Sequence, residues 1–166
     1  MRDLAEQMGI TGASLYNAFG DKRSLYHQAF VHYLERTVHE RVARLEKLPP
    51  ALAIRTFFDE IIERSVDDEQ RRGCMLVNAA LELAPYDPKF RQLVNEEMMF
   101  IEAFFGRCAA SGQQNGSIDR TRTSDDVGRM LLSVLLGIRV LARTRPQRQV
   151  LEGAANAVLA LLAANK

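Results

Sequence analysis

The chain has 166 residues, which is close to the length of one domain and long enough to bury a sizeable core. Its 22 lysines and arginines nearly balance 21 aspartates and glutamates, so the net charge of +1 gives no global basic field to attract nucleic acid. With 47% hydrophobic residues, the chain has ample apolar surface to bury, which excludes an intrinsically disordered protein.

The predicted fold class is all-α. The 10 glycines and 5 prolines are few chain breakers for this length, and no segment shows the period-2 alternation of a β-strand. Apolar stripes and capping residues instead predict eight helices in chain order. They end near Met8, Phe19, Leu48, Val66, Leu83, Ala110, Leu141 and Ala164.

The helix boundaries depend mainly on glycine, proline and capping residues. Gly9 ends the first helix, and Asp21 caps a long third helix. Pro49 stops that helix, because a proline disfavours helical structure at the residue before it. The third helix therefore links a small head to a larger body. The head and this linker helix comprise residues 1–48, and the body comprises residues 49–166.

The most specific local pattern lies in residues 4–16. Ala5 is followed four residues later by Gly9 and six residues further on by Leu15. Two helices that cross steeply need a small residue at the contact, glycine in the tight turn and an apolar anchor for the second helix. The spacing therefore indicates a helix-turn-helix, with Thr11 as the cap of its second helix. The alternative is a helical corner of a core.

Four polar residues of this region have side chains suited to DNA. Ser14 and Tyr16 carry hydroxyls for phosphate contacts, which position a protein on DNA without reading its sequence. Asn17 can make a bidentate contact to an adenine edge, and Lys22 supplies a point charge for a phosphate. The N-terminus of the second helix adds free N–H groups and the positive end of a helix dipole.

Residues 9–22 closely resemble the DNA-binding segment of the tetracycline-repressor (TetR) family. The family signature is a Leu-Tyr pair, then Phe, then Lys six residues after the Tyr. Here these residues are Leu15, Tyr16, Phe19 and Lys22. Residues 72–82 also resemble a stretch found in one branch of these regulators. The resemblance implies a helix-turn-helix head, a long linker helix, a ligand-binding bundle and two C-terminal dimerisation helices.

The resemblance also implies which residues contact double-stranded DNA. The residues that would hold the DNA backbone are Thr11, Ser14, Tyr16 and Lys22. Those that would face base edges are Gly12, Ala13 and Asn17. Gly12 is often a cation in this family and Ala18 is often His or Tyr, so base readout here depends on little beyond Asn17.

Family members carry a further helix, with a basic arm, before the residues that open this chain. That helix normally covers the apolar side of Leu4, Met8 and Phe19 and completes a three-helix head. From this departure we expect exposed apolar surface, a frayed first helix and weak or absent DNA binding until the first helix is restored. A truncated chain or a misplaced start would explain the departure.

The body contains adaptable apolar side chains suited to a small apolar effector. Methionine and phenylalanine fit irregular apolar ligands, and the resemblance implies that some of them line a cavity. Asn78 and Glu102 have apolar neighbours in the sequence and are candidate polar contacts. The predicted pocket residues are Phe57, Phe58, Ile61, Cys74, Met75, Asn78, Met98, Glu102, Phe105 and Met130. Plain core packing is the alternative for each of them.

The two cysteines are too few for a disulfide framework, which fits a reducing, cytoplasmic setting. Cys74 begins a predicted helix after two arginines, so a thiol sensor is conceivable, but a small buried hydrophobe is the favoured interpretation. No apolar run approaches the roughly 18 residues of a membrane span, and the N-terminus lacks the apolar stretch of a signal peptide. No membrane partner is expected.

The last two predicted helices carry broad apolar faces relieved by small residues, more than one small bundle needs to cover. Two such helices from each subunit predict a four-helix interface in a homodimer. The predicted interface residues are Val134, Leu135, Ile138, Leu141, Ala154, Ala155, Val158 and Leu162. A dimer would also place two recognition helices on half-sites about 34 Å apart. Internal packing alone is the alternative.

No catalytic residue, cofactor or metal site is predicted. The sequence lacks a paired His–carboxylate or Cys–His arrangement, and its three histidines are spaced five and seven residues apart on one helix. This disfavours a small helical enzyme. The favoured function is a ligand-responsive repressor released from its operator by a small apolar effector. The alternative is a helical dimer that binds a small molecule or protein but not DNA, because the first helix is missing.

Overall fold

Helices account for all the regular secondary structure in a computed structural model of the chain, which describes residues 1–164. The elements are α1 (Arg2–Gln7), α2 (Gly12–Phe19), α3 (Lys22–Leu34), a π-helical turn (Glu35–His39), α4 (Glu40–Leu45), α5 (Pro50–Val66), α6 (Met75–Glu82), α7 (Pro88–Asn115), α8 (Ser124–Thr144) and α9 (Arg148–Ala160). The predicted all-α fold class is confirmed.

The linker helix, residues 22–45, consists of α3, the π-helical turn and α4 in one continuous run. Its buried core positions recur every four residues, at Phe30, Leu34, Val38 and Val42. An α-helix turns once every 3.6 residues, so a four-residue repeat drifts around its surface. The π turn, in which the Glu40 N–H donates to the Glu35 carbonyl, absorbs an extra residue and keeps the repeat on one face.

The linker helix shares its core with the body. Phe30, Leu34 and Leu45 belong to the same buried cluster as the apolar residues of α5 to α9. At the centre of this cluster, the Phe57 ring lies 5.6 Å from Phe104 and 5.0 Å from Phe105, centroid to centroid. The division of the chain at residue 48 stays a prediction, because the core is continuous across it.

The end of α7 differs from the prediction. The helix ends at Asn115 rather than near Ala110, and Gly116 closes it with a left-handed φ of 78°. Gly112 belongs to the helix. Ile118 packs closely against it, since a Cβ at Gly112 would lie only 2.5 Å from Ile118 Cδ1. A glycine that suggests a loop in the sequence here allows a close side-chain contact instead.

The last helix is also shorter than predicted, since α9 ends at Ala160 rather than near Ala164. The residues after it turn back onto the loop that follows α7. Ile118 and Ala163 form an isolated antiparallel bridge, and the Asp119 N–H donates to the Leu162 carbonyl at 3.0 Å. These bonds fix the C-terminal turn of the body to α7.

Gly128 of α8 allows the backbones of α7 and α8 to approach closely where the two helices cross. A Cβ at Gly128 would lie 2.9 Å from the Glu102 carbonyl oxygen and 3.2 Å from the Gly106 nitrogen. Both neighbours are backbone atoms of a helix, so the crossing has to widen to accommodate any side chain.

We therefore expect Gly128→Val to lower the free energy of unfolding by about 3 kcal/mol, because it overpacks a backbone contact. Chemical denaturation at a fixed protein concentration measures this loss. Gly12→Ala is the control, because nothing lies within 4 Å of its Cβ position, and it should leave stability nearly unchanged. Equal stabilities for Gly128→Val and the unsubstituted chain would contradict this account of the crossing.

Candidate functional site

The N-terminal helix pair has the predicted helix-turn-helix geometry. Ala5 and Leu15 are both buried and fix α1 against α2. Gly9 adopts a φ of 65° in the turn between them, a left-handed conformation that favours glycine. Thr11 caps α2, because its Oγ1 accepts a hydrogen bond from the Ser14 N–H at 3.0 Å.

The predicted DNA-contacting residues lie together along α2 and the start of α3. Tyr16 is 53% exposed, and Gly12 alone among these residues is half-buried. The other exposed members of the set are Thr11, Ala13, Ser14, Asn17 and Lys22. Asp21 caps α3, and the hydrogen bond from the Ser24 backbone N–H lowers the pKa of its carboxyl. The head therefore exposes hydroxyl, amide and ammonium groups along α2 and the start of α3.

The apolar side of α1 is open. Leu4 and Met8 are exposed, as expected, whereas Phe19, the third residue of that expectation, is half-buried. Ile10 in the turn is exposed as well. The first helix is nevertheless formed over Arg2–Gln7 rather than frayed.

Charged pairs tie the linker helix to the body. Arg41 is only 8% exposed and donates through Nε to Glu60 of α5 at 3.0 Å, while Arg44 reaches the same carboxylate at 2.7 Å. Burial alone would raise the pKa of Glu60, but the hydrogen bonds from Arg44 and Arg41 outweigh it and lower the pKa. Earlier in the linker helix, His39 Nε2 lies 2.9 Å from the buried carboxylate of Glu97 on α7, a His–carboxylate pair that the sequence did not predict.

A small enclosed cavity of about 30 Å³ lies between the linker helix and α5 to α8. This volume holds about one water molecule. Three predicted pocket residues, Phe57, Ile61 and Cys74, line it. Sequence reasoning missed its other lining residues, of which Arg41 and Arg139 are the charged ones. A lone arginine in the apolar run of the seventh predicted helix is the signal that marks Arg139.

An open groove of about 580 Å³ adjoins this cavity and shares Tyr33, Thr37 and Arg139 with it. Two further predicted pocket residues, Met75 and Asn78, line the groove. The Asn78 side chain accepts from Arg143 at 3.0 Å and donates to the Arg72 carbonyl at 3.0 Å. Asn78 therefore connects helix α8 with the loop that precedes α6. This is a structural role in addition to its place in the groove.

The remaining predicted pocket residues lie elsewhere. Phe58 and Phe105 stack on each other at 5.8 Å and are fully buried in the core. Glu102 pairs with Arg129 of α8 at 3.5 Å. Met98 and Met130 are half-buried and line neither the cavity nor the groove. Packing and pairing account for the places of these five residues, and their assignment to a ligand pocket stays a prediction.

The two cysteines differ in setting. Cys74 precedes α6, is half-buried and has its Sγ 3.7 Å from the Tyr33 hydroxyl. Burial raises the pKa of Tyr33, and the neighbouring Cys74 raises it further. Cys108 is buried, and burial raises the pKa of its thiol to about 11. A thiol-sensing role for Cys74 stays a prediction.

The predicted dimer residues divide between two faces of α8 and α9. Five are buried within the subunit and have little surface left for a partner: Leu135, Ile138, Ala155, Val158 and Leu162. The larger apolar residues of both helices therefore pack inward, and the assignment of these five to a dimer interface stays a prediction. Three are half-buried, namely Val134, Leu141 and Ala154. The outer face also includes residues that the prediction missed, namely Gly137, Val140, Gly153, Ala157 and Leu161.

No group of three His, Cys, Asp or Glu side chains within residues 1–164 is placed to hold a metal ion. Over the same stretch, every helix is too short or too polar to cross a membrane.

Comparison with known proteins gives the family. Residues 50–158 match the model of the tetracyclin repressor-like C-terminal domain. The chain is 33% identical over 122 residues to the HTH-type transcriptional regulator YezE of Bacillus subtilis (strain 168), across 70% of this chain and 62% of that protein. It is 25% identical over 158 residues to the HTH-type transcriptional repressor DhaR of Mycobacterium sp. (strain GP1), across 92% of this chain and 76% of that protein.

Solved structures give the same fold. The TetR family regulator CifR, in a complex with 26 bp double-strand operator DNA, superposes with a TM-score of 0.81 at 28% identity, over 95% of this chain and 83% of that one. A TetR transcriptional regulator from Chloroflexus aurantiacus has a TM-score of 0.82 at 20% identity, over 99% of this chain and 85% of that one. The second likeness supports the fold alone.

The family model matches well over half of the chain, and the chain belongs to the TetR family of transcriptional regulators. Membership confirms the predicted family and the prediction that the protein is a regulator rather than an enzyme. The match with YezE spans less than two thirds of that protein's length.

Because Arg41 is buried against Glu60, we expect Glu60→Ala to lower the free energy of unfolding by about 2 kcal/mol. This is below the roughly 3–5 kcal/mol of a fully buried pair, since Glu60 is partly exposed. The control is Glu63→Ala on the same helix, which removes a more exposed pair with Arg148 and should cause no measurable loss. Equal losses in the two variants on chemical denaturation would show that Arg41 does not need this partner.

Proposed function

We propose that the protein is a ligand-responsive repressor that binds operator DNA through α2 and is released by a small effector bound beside the linker helix. The observation that carries the proposal is the cavity between the linker helix and α5 to α8. The linker helix, which forms one wall of this cavity, connects α2 with the body. An effector that favours one arrangement of the cavity also favours one position of the linker helix, and hence of the head.

The DNA-binding step uses the exposed surface of α2 and the start of α3. Ser14, Tyr16 and Lys22 are the candidate phosphate contacts, and Asn17 is the candidate for base readout. The capped N-terminus of α2 adds backbone N–H groups on the same side. The chain carries a net charge of only +1, so binding depends on these local contacts rather than on a general basic field.

We expect Lys22→Gln to weaken binding to DNA from the gene's own upstream region and to lower the slope of log affinity against log salt by about 1. The control is Lys47→Gln, an exposed lysine in the turn after α4, at the opposite end of the linker helix from Lys22. A mobility-shift titration at several salt concentrations measures both quantities. No binding by the unsubstituted chain would favour the alternative, a helical dimer that binds a ligand or protein but not DNA.

The proposed homodimer uses the outer face of α8 and α9. Val140 is 48% exposed and Leu161 is 52% exposed, although both are large apolar residues. Gly137 and Gly153 lie on the same outer face, and nothing within 4 Å would meet a Cβ at either position. Small residues on an apolar helix face allow a second helix to approach closely, as a four-helix interface requires.

We expect Val140→Glu to shift the protein from dimer to monomer, because it places a charge in an apolar contact. The control is Val31→Glu on α3, a valine that is 44% exposed and lies on a helix packed against α2, the π-helical turn and α6. Sedimentation velocity at several concentrations distinguishes the two states. A Val140→Glu protein that remains dimeric would place the interface elsewhere.

A further inference from the structure

We propose that the effector carries a carboxylate on a short apolar body, with the carboxylate bound by Arg139 and the apolar part directed into the cavity. This inference depends on the proposed function, because it names the chemical class of that same effector. Both charged residues that line the cavity, Arg41 and Arg139, are cations.

Only one of these two cations has its charge balanced. Arg41 pairs with Glu60 and also donates to the Thr37 carbonyl at 2.6 Å. Arg139 is half-buried and donates to the Ser65 hydroxyl at 3.2 Å, and within residues 1–164 no carboxylate lies within the 4.0 Å of an ion pair. A partly desolvated guanidinium with a neutral partner favours an anion from outside.

Arg139 lies where a ligand would meet it. It lines the enclosed cavity, the open groove and a second small space beside Ser65. Arg139 also interacts electrostatically with Tyr33. Burial raises the pKa of the Tyr33 phenol, and the positive charge of Arg139 acts in the opposite direction and lowers it. A carboxylate at the boundary between groove and cavity would therefore have a guanidinium and a phenolic hydroxyl as neighbours.

The carboxylates near the groove do not replace such a ligand. Asp68 is engaged by Arg72 at 3.4 Å and by the Gly73 N–H at 2.8 Å. Asp67 lines the groove but is exposed to solvent. The groove also includes Arg64, so its charged lining comprises three arginines against two aspartates.

The rest of the cavity selects an apolar body. Phe57, Ile61, Ile101 and Leu135 line it and are buried in the unliganded chain. Its present volume of about 30 Å³ is below that of an alkyl or phenyl group, so the body of the ligand has to displace side chains from the groove side inward. That displacement acts on Thr37 and Arg41 of the linker helix, which line the cavity too.

The test compares matched pairs that differ in charge but little in shape: octanoate with octanamide, and phenylacetate with phenylacetamide. Isothermal titration calorimetry near neutral pH measures each affinity for the full chain. For at least one pair we expect the carboxylate to bind about tenfold more tightly than the amide, as a charge-assisted hydrogen bond predicts. In Arg139→Gln the two members of that pair should bind about equally.

Arg129→Gln is the matched control, because Arg129 lies on the same helix, pairs with Glu102 and Asp126, and lines neither the cavity nor the groove. It should keep the preference for carboxylate. Should Arg139→Gln fail to fold, the comparison of acid with amide in the unsubstituted chain still tests the carboxylate, and Arg139→Met, which also removes the charge, tests its assignment to Arg139.

Equal affinities within both pairs would overturn the carboxylate while leaving an apolar effector in place. A preference that persists in Arg139→Gln would overturn the assignment to Arg139, and no binding by any of the four compounds would overturn the inference as a whole. Failure of the DNA-binding part of the proposed function is detected separately, in the mobility-shift titration, which contains no ligand.

Discussion

The linker helix carries two rows of side chains that have to keep their contacts with the body, and in each row the members recur every four residues. One row, Phe30, Leu34, Val38 and Val42, enters the core, and the other, Tyr33, Thr37 and Arg41, lines the cavity. A regular α-helix would rotate both rows away from their neighbours, because its repeat is 3.6 residues. The π-helical turn at Glu35–His39 corrects this drift at the level of the cavity. The position of the head relative to the body depends on this local geometry.

Charged contacts hold the linker helix to several helices of the body. The linker helix reaches α5 through Arg41 and Glu60, and α7 through His39 and Glu97. The short turn after it adds a pair between Glu46 and Arg107 of α7 at 2.5 Å. Because all these contacts hold the linker helix or the turn after it, and Arg41 also lines the cavity, a ligand that moves the linker helix has to change several of them together. Such coupled contacts favour a change between two arrangements over a gradual deformation.

The local features of the head could be predicted from the sequence, because short-range chemistry determines them. Ala5, Gly9 and Leu15 indicate the crossing and the turn, and Thr11 and Asp21 cap the two helices that follow. The dimer face could not be predicted in the same way. Periodicity shows that α8 and α9 have apolar residues on much of their surface, but not which side the core takes.

The site chemistry depends on contacts between residues far apart in the chain. Arg41 and Arg139 are equivalent as residue types, and only the fold shows that Glu60 neutralises the first and not the second. Similarly, Phe58 and Phe105 have the composition expected of a pocket, yet they stack on each other in the core. Sequence composition therefore indicated an adaptable apolar interior, while its open part and its charge had to come from the structure.

In the proposed mechanism, a ligand in the cavity changes the separation of the two heads of a dimer through the linker helix. Spin labels introduced as an unnatural amino acid at Ala18, an exposed position in α2, allow this separation to be measured across a dimer by pulsed electron resonance. The account predicts that saturating octanoate shifts the distance distribution in the otherwise unsubstituted chain and leaves it unchanged in Arg139→Gln. An identical distribution with and without octanoate, under conditions in which calorimetry shows it bound, would contradict the account.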